Sequence, residues 1–347
     1  MSHHSTPRRM VKAWLQGEPP SRPLLMPILF SLGARIESLS LERFQSNPTR
    51  IANALRQIRT VMPVDGLSCY FDPVLETSAL GHRRVWHGDG PRVMVPVFSG
   101  VDEVRRQLGS PDRLQDQGFI PVACEVLRRV KAMLKDEPAL LIRVSGPVGL
   151  ARQLCGWDPG GSTSELSQDL LVFAAEVAAS VARTFAEAGA DVILVGEDFE
   201  AGLPYPSFES YASLLAPVVN VVRFYEALPV LLLGKVSRET LDSAQANLQD
   251  CILCPTWTAE KPVSNIEPRP QPGSMAYALS VESLTQDEQR FEALDSSPSK
   301  VCLLTSSEDV PAALDLKKLG ERLKSLRGYF AAPPASRHGL PPPGAPD

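Results

Sequence analysis

The sequence predicts an α/β protein built as a single (β/α)8 barrel, on three observations. Eight short apolar runs alternate with stretches of helical periodicity. Most of those runs are apolar throughout rather than at every second residue, as strands covered on both faces must be. A doubly wound open sheet is the rival, but "FSLGAR" after the first run is not the glycine-rich phosphate turn such folds carry there.

The predicted elements follow in order. "LMPILF" (25–30) is the first apolar run, and helical periodicity covers 49–62. "GLSCYF" (66–71) is the second strand, and "VMVPV" (93–97) is set aside as an excursion from the barrel. A helix near 120–135 repeats Val126, Leu127, Val130, Met133 and Leu134 at helical spacing. "ALLIRVS" (139–145) precedes a long helix at 165–188, where Ser162 and Glu165 have capping-box spacing.

"DVILVG" (191–196) is the next strand, followed by a helix at 208–226 whose interior Pro217 should kink it. "PVLLL" (229–233), "CILC" (251–254), "SMAYALS" (274–280) and "KVCLLT" (300–305) complete the eight, with a last helix near 312–328. Residues 1–22 read as an N-terminal extension and 23–330 as the barrel. The tail at 331–347, "AAPPASRHGLPPPGAPD", reads as proline-rich and disordered.

Composition narrows the function classes. With 347 residues, 44% of them hydrophobic, the chain can bury a large core. A net charge of -5 and the lack of a long Lys/Arg run argue against nucleic acid as a partner. No apolar stretch approaches the roughly 20 residues needed to span a bilayer, and "MSHHSTPRRMVKAWLQG" has no apolar signal core, so a cytoplasmic protein without membrane contact is expected. The six cysteines lie in apolar segments, as reduced packing thiols do. Cys251 and Cys254 form a C-x-x-C, but their side chains within a strand would not point the same way.

In such a barrel, polar residues just past the strand C-termini face the mouth where ligands bind. That rule selects Ser31 and Arg35 after the first strand, Asp72 after the second, and Glu197, Asp198 and Glu200 after the fourth. Three partly buried carboxylates within four positions cannot all ionise freely, so at least one should have a raised pKa and act in proton transfer. Asp72, Glu197 and Asp198 are therefore the candidate catalytic residues. His82 and His87 fall in "GHRRVWHGDG", read as an exposed hairpin, in which Arg83 and Arg84 are candidates for an anionic group reaching over the rim.

Several segments resemble, in family order, the uroporphyrinogen decarboxylase superfamily, which includes corrinoid-dependent methyltransferases. They are "RPLLMPILFSLGARIESLS", "VDGLSCYFDPVLETSALG", "GPRVMVPVFSGVDEVRRQL", "SGPVGLARQLCGW", "EAGADVILVGEDFEAGL", Leu215-Ala216-Pro217 and "LLTSSEDVP". The resemblance implies a distorted (β/α)8 barrel. It places the second of two substrate-binding arginines on Arg35, and the aspartate that sits over the tetrapyrrole on Asp72. It also places the decarboxylase tyrosine on Gln153 and its serine on Asp198, both substituted.

The zinc triad of the thiol-activating methyltransferases has no counterpart, since Leu233 is followed by Gly234-Lys235 and no histidine lies between His87 and His338. The resemblance therefore implies zinc-independent methyl transfer involving a corrinoid (cobalamin) co-substrate and a non-thiol acceptor such as a reduced folate. No tightly bound cofactor is expected. A corrinoid protein is the expected partner, and family members are often homodimers. The alternatives are a tetrapyrrole decarboxylase (a carboxy-lyase) and a non-catalytic barrel that binds a tetrapyrrole or a partner protein.

Overall fold

A computed structural model describes residues 6–87, 90–93, 102, 105–106, 111–135, 137–155, 166–197, 206–234, 236–257, 274–285 and 300–331. Among these residues ten strands form: β1 (Leu24–Leu25), β2 (Gly66–Ser68), β3 (Arg84–His87), β4 (Gly90–Val93), β5 (Ala139–Ser145), β6 (Val192–Glu197), β7 (Leu228–Leu233), β8 (Ile252–Trp257), β9 (Ser274–Leu279) and β10 (Lys300–Ser306). Eight of them form one parallel sheet in the order β1-β10-β9-β8-β7-β6-β5-β2. The sheet curls into a nearly closed (β/α)8 barrel, as the sequence predicts.

At the seam between β1 and β2, Asp65 bridges the two sides. The Asp65 N–H donates to the Leu25 carbonyl at 2.7 Å, and the Leu25 N–H donates to Asp65 Oδ2 at 2.9 Å. Asp65 is fully buried and also takes a fork from Arg22, with both bonds at 2.7 Å, and a third guanidinium contact from Arg327 at 3.0 Å.

Strand parity sorts the side chains into two cores. Leu141, Leu194, Val230, Cys254, Ala276 and Cys302 fill the barrel interior, while Ile142, Ile193, Val195, Leu231, Leu253 and Tyr277 face the helices. Cys251 and Cys254 accordingly join opposite cores, as their spacing predicts.

The helices form where capping and periodicity agree. α1 (Pro7–Leu15) starts at Thr6 with proline in its first turn. It packs at the base of β5 and β7, and its Val11 and Trp14 fill the bottom of the interior core. Arg8 on α1 donates to Asp191 Oδ1 at 2.8 Å, and Asp191 Oδ2 accepts from the Leu140 N–H at 2.9 Å. Part of the predicted N-terminal extension is thus the plug of the barrel floor.

Further helices are α2 (Phe30–Ile36), α3 (Leu41–Gln45), α4 (Pro48–Val61), α5 (Leu75–Ala79), α6 (Ile120–Leu134), α7 (Pro147–Leu154), α8 (Gln168–Ala188), α9 (Phe208–Phe224), α10 (Arg238–Asn247), α11 (Val281–Thr285) and α12 (Leu316–Ala331). In α4, Asn47 caps and Ile51, Leu55 and Ile58 line the buried side. Pro217 lies within α9. No helix among the described residues is long and apolar enough to cross a membrane.

Two expectations change. The first apolar run is a strand only at Leu24–Leu25, because Phe30 already opens α2. His82 is buried, at 4% exposure, although the hairpin that follows it does form, from β3 and β4. The predicted capping box at Ser162 and Glu165, most of the 93–97 run, and the tail beyond Ala331 lie outside the described residues; α8 begins at Gln168 with Ser167 as its cap.

Candidate active site

A cleft of about 990 Å³ opens at the C-terminal ends of the strands. Its lining comes from α2 and the turn after it, from Phe71 and Pro73 after β2, from Trp86 of the hairpin, from Arg143 on β5, and from residues 307–313 after β10. This is the face of the barrel on which catalytic groups are normally carried.

Ser31 and Arg35 both line it. The Ser31 hydroxyl donates to Asp309 Oδ2 at 2.6 Å, and the Phe30 and Ser31 N–H groups donate to the same carboxylate at 2.8 and 2.9 Å. Burial pushes the Asp309 carboxyl up to about 7, against those three donors, with Glu308 adding to the rise. Near neutral pH Asp309 can therefore hold or release a proton within the cleft. Arg35 Nη1 donates to the carbonyls of Ala312 and Leu314, at 2.7 and 2.8 Å, and so ties α2 to the 309–314 segment.

Asp72 is closed off from the cleft, its side chain having no exposed surface. Its Oδ2 accepts from Arg84 Nη1 at 2.7 Å and its Oδ1 from the Val74 N–H at 3.1 Å. Burial raises its pKa, and the Arg84 charge opposes the rise. Arg84 also donates to Gln45 Oε1, and its guanidinium lies 5.1 Å from the Trp86 ring and 4.9 Å from the Phe119 ring. The pair anchors the hairpin that places Trp86 on the cleft wall.

The hairpin anchor makes an asymmetric prediction. Arg84→Met leaves Asp72 buried without its counter-ion and should cost about 3 kcal/mol, whereas Arg84→Met combined with Asp72→Asn should recover at least half of that. Urea midpoints of the two variants check it. A double variant that loses as much as Arg84→Met alone would contradict the expected recovery, and a loss equal to the sum of the two single variants would mean that the pair is not coupled.

Glu197 lies on the helix-facing side of β6, in register with Ile193 and Val195 rather than with Leu194. Its Oε1 accepts from the Val148 N–H at 2.9 Å and from the Tyr211 hydroxyl at 3.1 Å, and its Oε2 accepts from the Gly149 N–H at 2.7 Å. It satisfies the first turn of α7, which starts at Gly146 without a side-chain cap of its own. Gly146 is required here, because a Cβ would fall 2.5 Å from Glu197 Cγ. Burial pushes the Glu197 carboxyl up to about 7, opposed by those donors.

The remaining predicted residues sit elsewhere. Asp198 and Glu200 lie outside the described residues. Gln153 accepts from Thr77 Oγ1 at 3.3 Å and donates to the Pro73 carbonyl at 3.0 Å, pinning α7 to the segment after β2. Arg83 is exposed and is not part of the cleft lining. Among the described residues, no three His, Cys, Asp or Glu side chains are placed to hold a metal ion.

Three residues missed by the sequence argument matter. Asp309 follows β10 in "SSEDVP", where the strand-end rule would have found it had it been applied to the last strand. Arg143 is a charge within an otherwise apolar strand, itself a signal. Glu76, fully buried on α5, accepts from the Ser145 N–H at 2.8 Å and from its hydroxyl at 2.9 Å, and nothing in its spacing announces that.

The model of the family described as "Uroporphyrinogen decarboxylase (URO-D)" matches residues 6–246, more than half of the chain. The chain belongs to the uroporphyrinogen decarboxylase family. Among solved structures, this family member is similar to a "methyltransferase from Methanosarcina mazei", with a TM-score of 0.66 and 17% identity over 94% of this chain and 99% of that one. A phosphonopyruvate hydrolase gives a TM-score of 0.44 at 12% identity, covering 96% and 87% of the two chains. An N-acetylneuraminate lyase from Fusobacterium nucleatum gives 0.41 at 10%, covering 90% and 75%. A search of the curated proteins found no match for this uroporphyrinogen decarboxylase family chain.

Proposed function

We propose that this chain is a methyl-transfer enzyme whose mouth cleft takes a corrinoid co-substrate and a non-thiol acceptor such as a reduced folate. The observation that carries the reading is the cleft itself. Its volume of about 990 Å³ stands at the upper end for ligand sites, so it suits a large ligand or two together. The barrel family and the likeness in fold to a methanogen methyltransferase support the same direction.

The cleft residues suit such a ligand. Phe71, Trp86 and Leu41 give apolar wall, and Arg35 and Arg143 give positive charge. A bound corrinoid supplies the methyl group. Ser31 and Asp309 orient the acceptor, and Asp309 takes the proton that the acceptor nitrogen loses when it gains the methyl group. The corrinoid arrives on a separate small protein in the cytoplasm.

Decarboxylation of a tetrapyrrole is the weaker reading, because it needs Asp72 over the ring, and here that carboxylate is enclosed by Arg84 and Val74. The test is methylcobalamin offered with a panel of acceptors and followed by its absorption spectrum. Demethylation that falls at least about tenfold in Asp309→Asn is expected. No binding and no demethylation across the panel would leave the proposal without support.

A further inference from the structure

Two aromatic rings stand on the wall of the cleft, and each is held on one face by a cation. Trp86 and Phe71 line the opening and are half-buried. The Arg84 guanidinium lies over the Trp86 ring at 5.1 Å. Arg143, whose charge also acts on the buried Glu76 carboxylate, lies over the Phe71 ring at 5.6 Å. A cation on one face of an aromatic ring fixes its tilt and leaves the opposite face for another flat group.

Trp86 needs such support. It stands on β3, which pairs with β4 and with no strand of the barrel among the described residues, and a two-stranded hairpin is marginal on its own. Gln45 is the common fixture. The residue is buried, its Oε1 accepts from Arg84 Nη2, and its Nε2 donates to the Phe71 carbonyl at 3.3 Å. Its own carbonyl accepts from the Tyr70 hydroxyl at 3.0 Å. One amide thus ties the support of the first ring to the backbone that carries the second.

We propose that Trp86 and Phe71 seat a planar nitrogen heterocycle of the ligand, and that Gln45 is the positioning residue that sets the two rings in place. Glu42, Glu308 and Asp309 line the same cleft, so the ring that suits it carries N–H donors at its edge, as an aminopyrimidine does. This ligand class rests on the mouth cleft being the binding site, as the proposed function has it. The pterin of a reduced folate is one such ring.

Tetrahydrofolate and p-aminobenzoylglutamate, which lacks the pterin and keeps the rest, separate the heterocycle from the tail. By calorimetry on the full chain, wild type should favour tetrahydrofolate by about tenfold or more. Trp86→Ala should cut that preference to within about threefold, whereas Trp86→Phe, which keeps a flat ring, should retain most of it. Gln45→Leu should also lower the preference while the affinity for p-aminobenzoylglutamate stays within about twofold. A merely structural role for Gln45 would weaken both compounds alike.

Tryptophan fluorescence reads the contact directly. Tetrahydrofolate should quench wild-type emission more than that of Trp86→Phe, although both bind it. No preference for the heterocycle in wild type, a preference unchanged in Trp86→Ala, or equal quenching in wild type and Trp86→Phe would overturn the inference. A Trp86-dependent preference without demethylation of methylcobalamin would support it while contradicting the reaction proposed above.

Discussion

Asp65→Ala should destabilise the protein by about 4 kcal/mol, and Asp65→Asn by about half as much. The carboxylate is fully buried and gathers Arg22, Arg327 and the Leu25 N–H at the seam where β1 and β2 lack a ladder of their own. Removing it leaves a buried N–H without an acceptor and two guanidiniums without their anion. Arg22 and Arg327 keep 25% and 37% of their side chains exposed, so they can turn to water, which keeps the loss from the top of the range of about 3–5 kcal/mol for broken buried pairs. Asparagine still offers one oxygen to Leu25. Urea midpoints measure both, against a total stability of about 5–15 kcal/mol for a folded protein. A loss below about 0.5 kcal/mol in the alanine variant would show that the seam is closed by other means.

Glu197→Ala should be as damaging, about 3–4 kcal/mol, because it strips acceptors from two backbone N–H groups and the Tyr211 hydroxyl at once. Glu197→Gln should cost less, since one amide oxygen remains, but its NH2 must face an N–H. The glutamine variant also carries a pH signature. The native carboxyl titrates at about 7 and the unfolded one near 4.5, so between these values the native state binds more protons.

Stability should therefore be greatest below about pH 4.5 as far as this group is concerned, decline as pH rises toward 7, and level off above. Asp309 acts with the same sign. In Glu197→Gln the decline between pH 5 and 7 should be shallower by about one proton, read from urea midpoints across that range. A slope identical to that of wild type would contradict the assignment.

Apolar continuity made the barrel readable. β5, β6 and β7 are covered on both faces, so every residue in them reports burial, and their predicted limits agree with the structure to within one residue. β1 was readable only in part, because an apolar run does not reveal where a strand gives way to a buried helix such as α2. The mouth was readable at Ser31 and Arg35, which line the cleft from α2, the first helix after β1.

The strand-end rule says nothing about which face a residue takes. Glu197 falls one residue to the wrong side, toward α7, and Asp72 is turned away by an arginine that arrives from a hairpin twelve residues later. Such pairings depend on three-dimensional closure and leave no local signature. Arg143 did leave one, a charge in a buried strand, but what surrounds it, the bare backbone of Gly196 and the buried Glu76 carboxylate, comes from other elements.

A crystal structure of the full chain with methylcobalamin and a reduced folate tests the division between a binding cleft and structural carboxylates. Ligand density should fill the mouth beside Trp86 and Asp309, with Asp72 and Glu197 still engaged by Arg84 and α7. Density contacting the Glu197 or Asp72 carboxylate, or a mouth left empty while the ligand binds elsewhere, would contradict it.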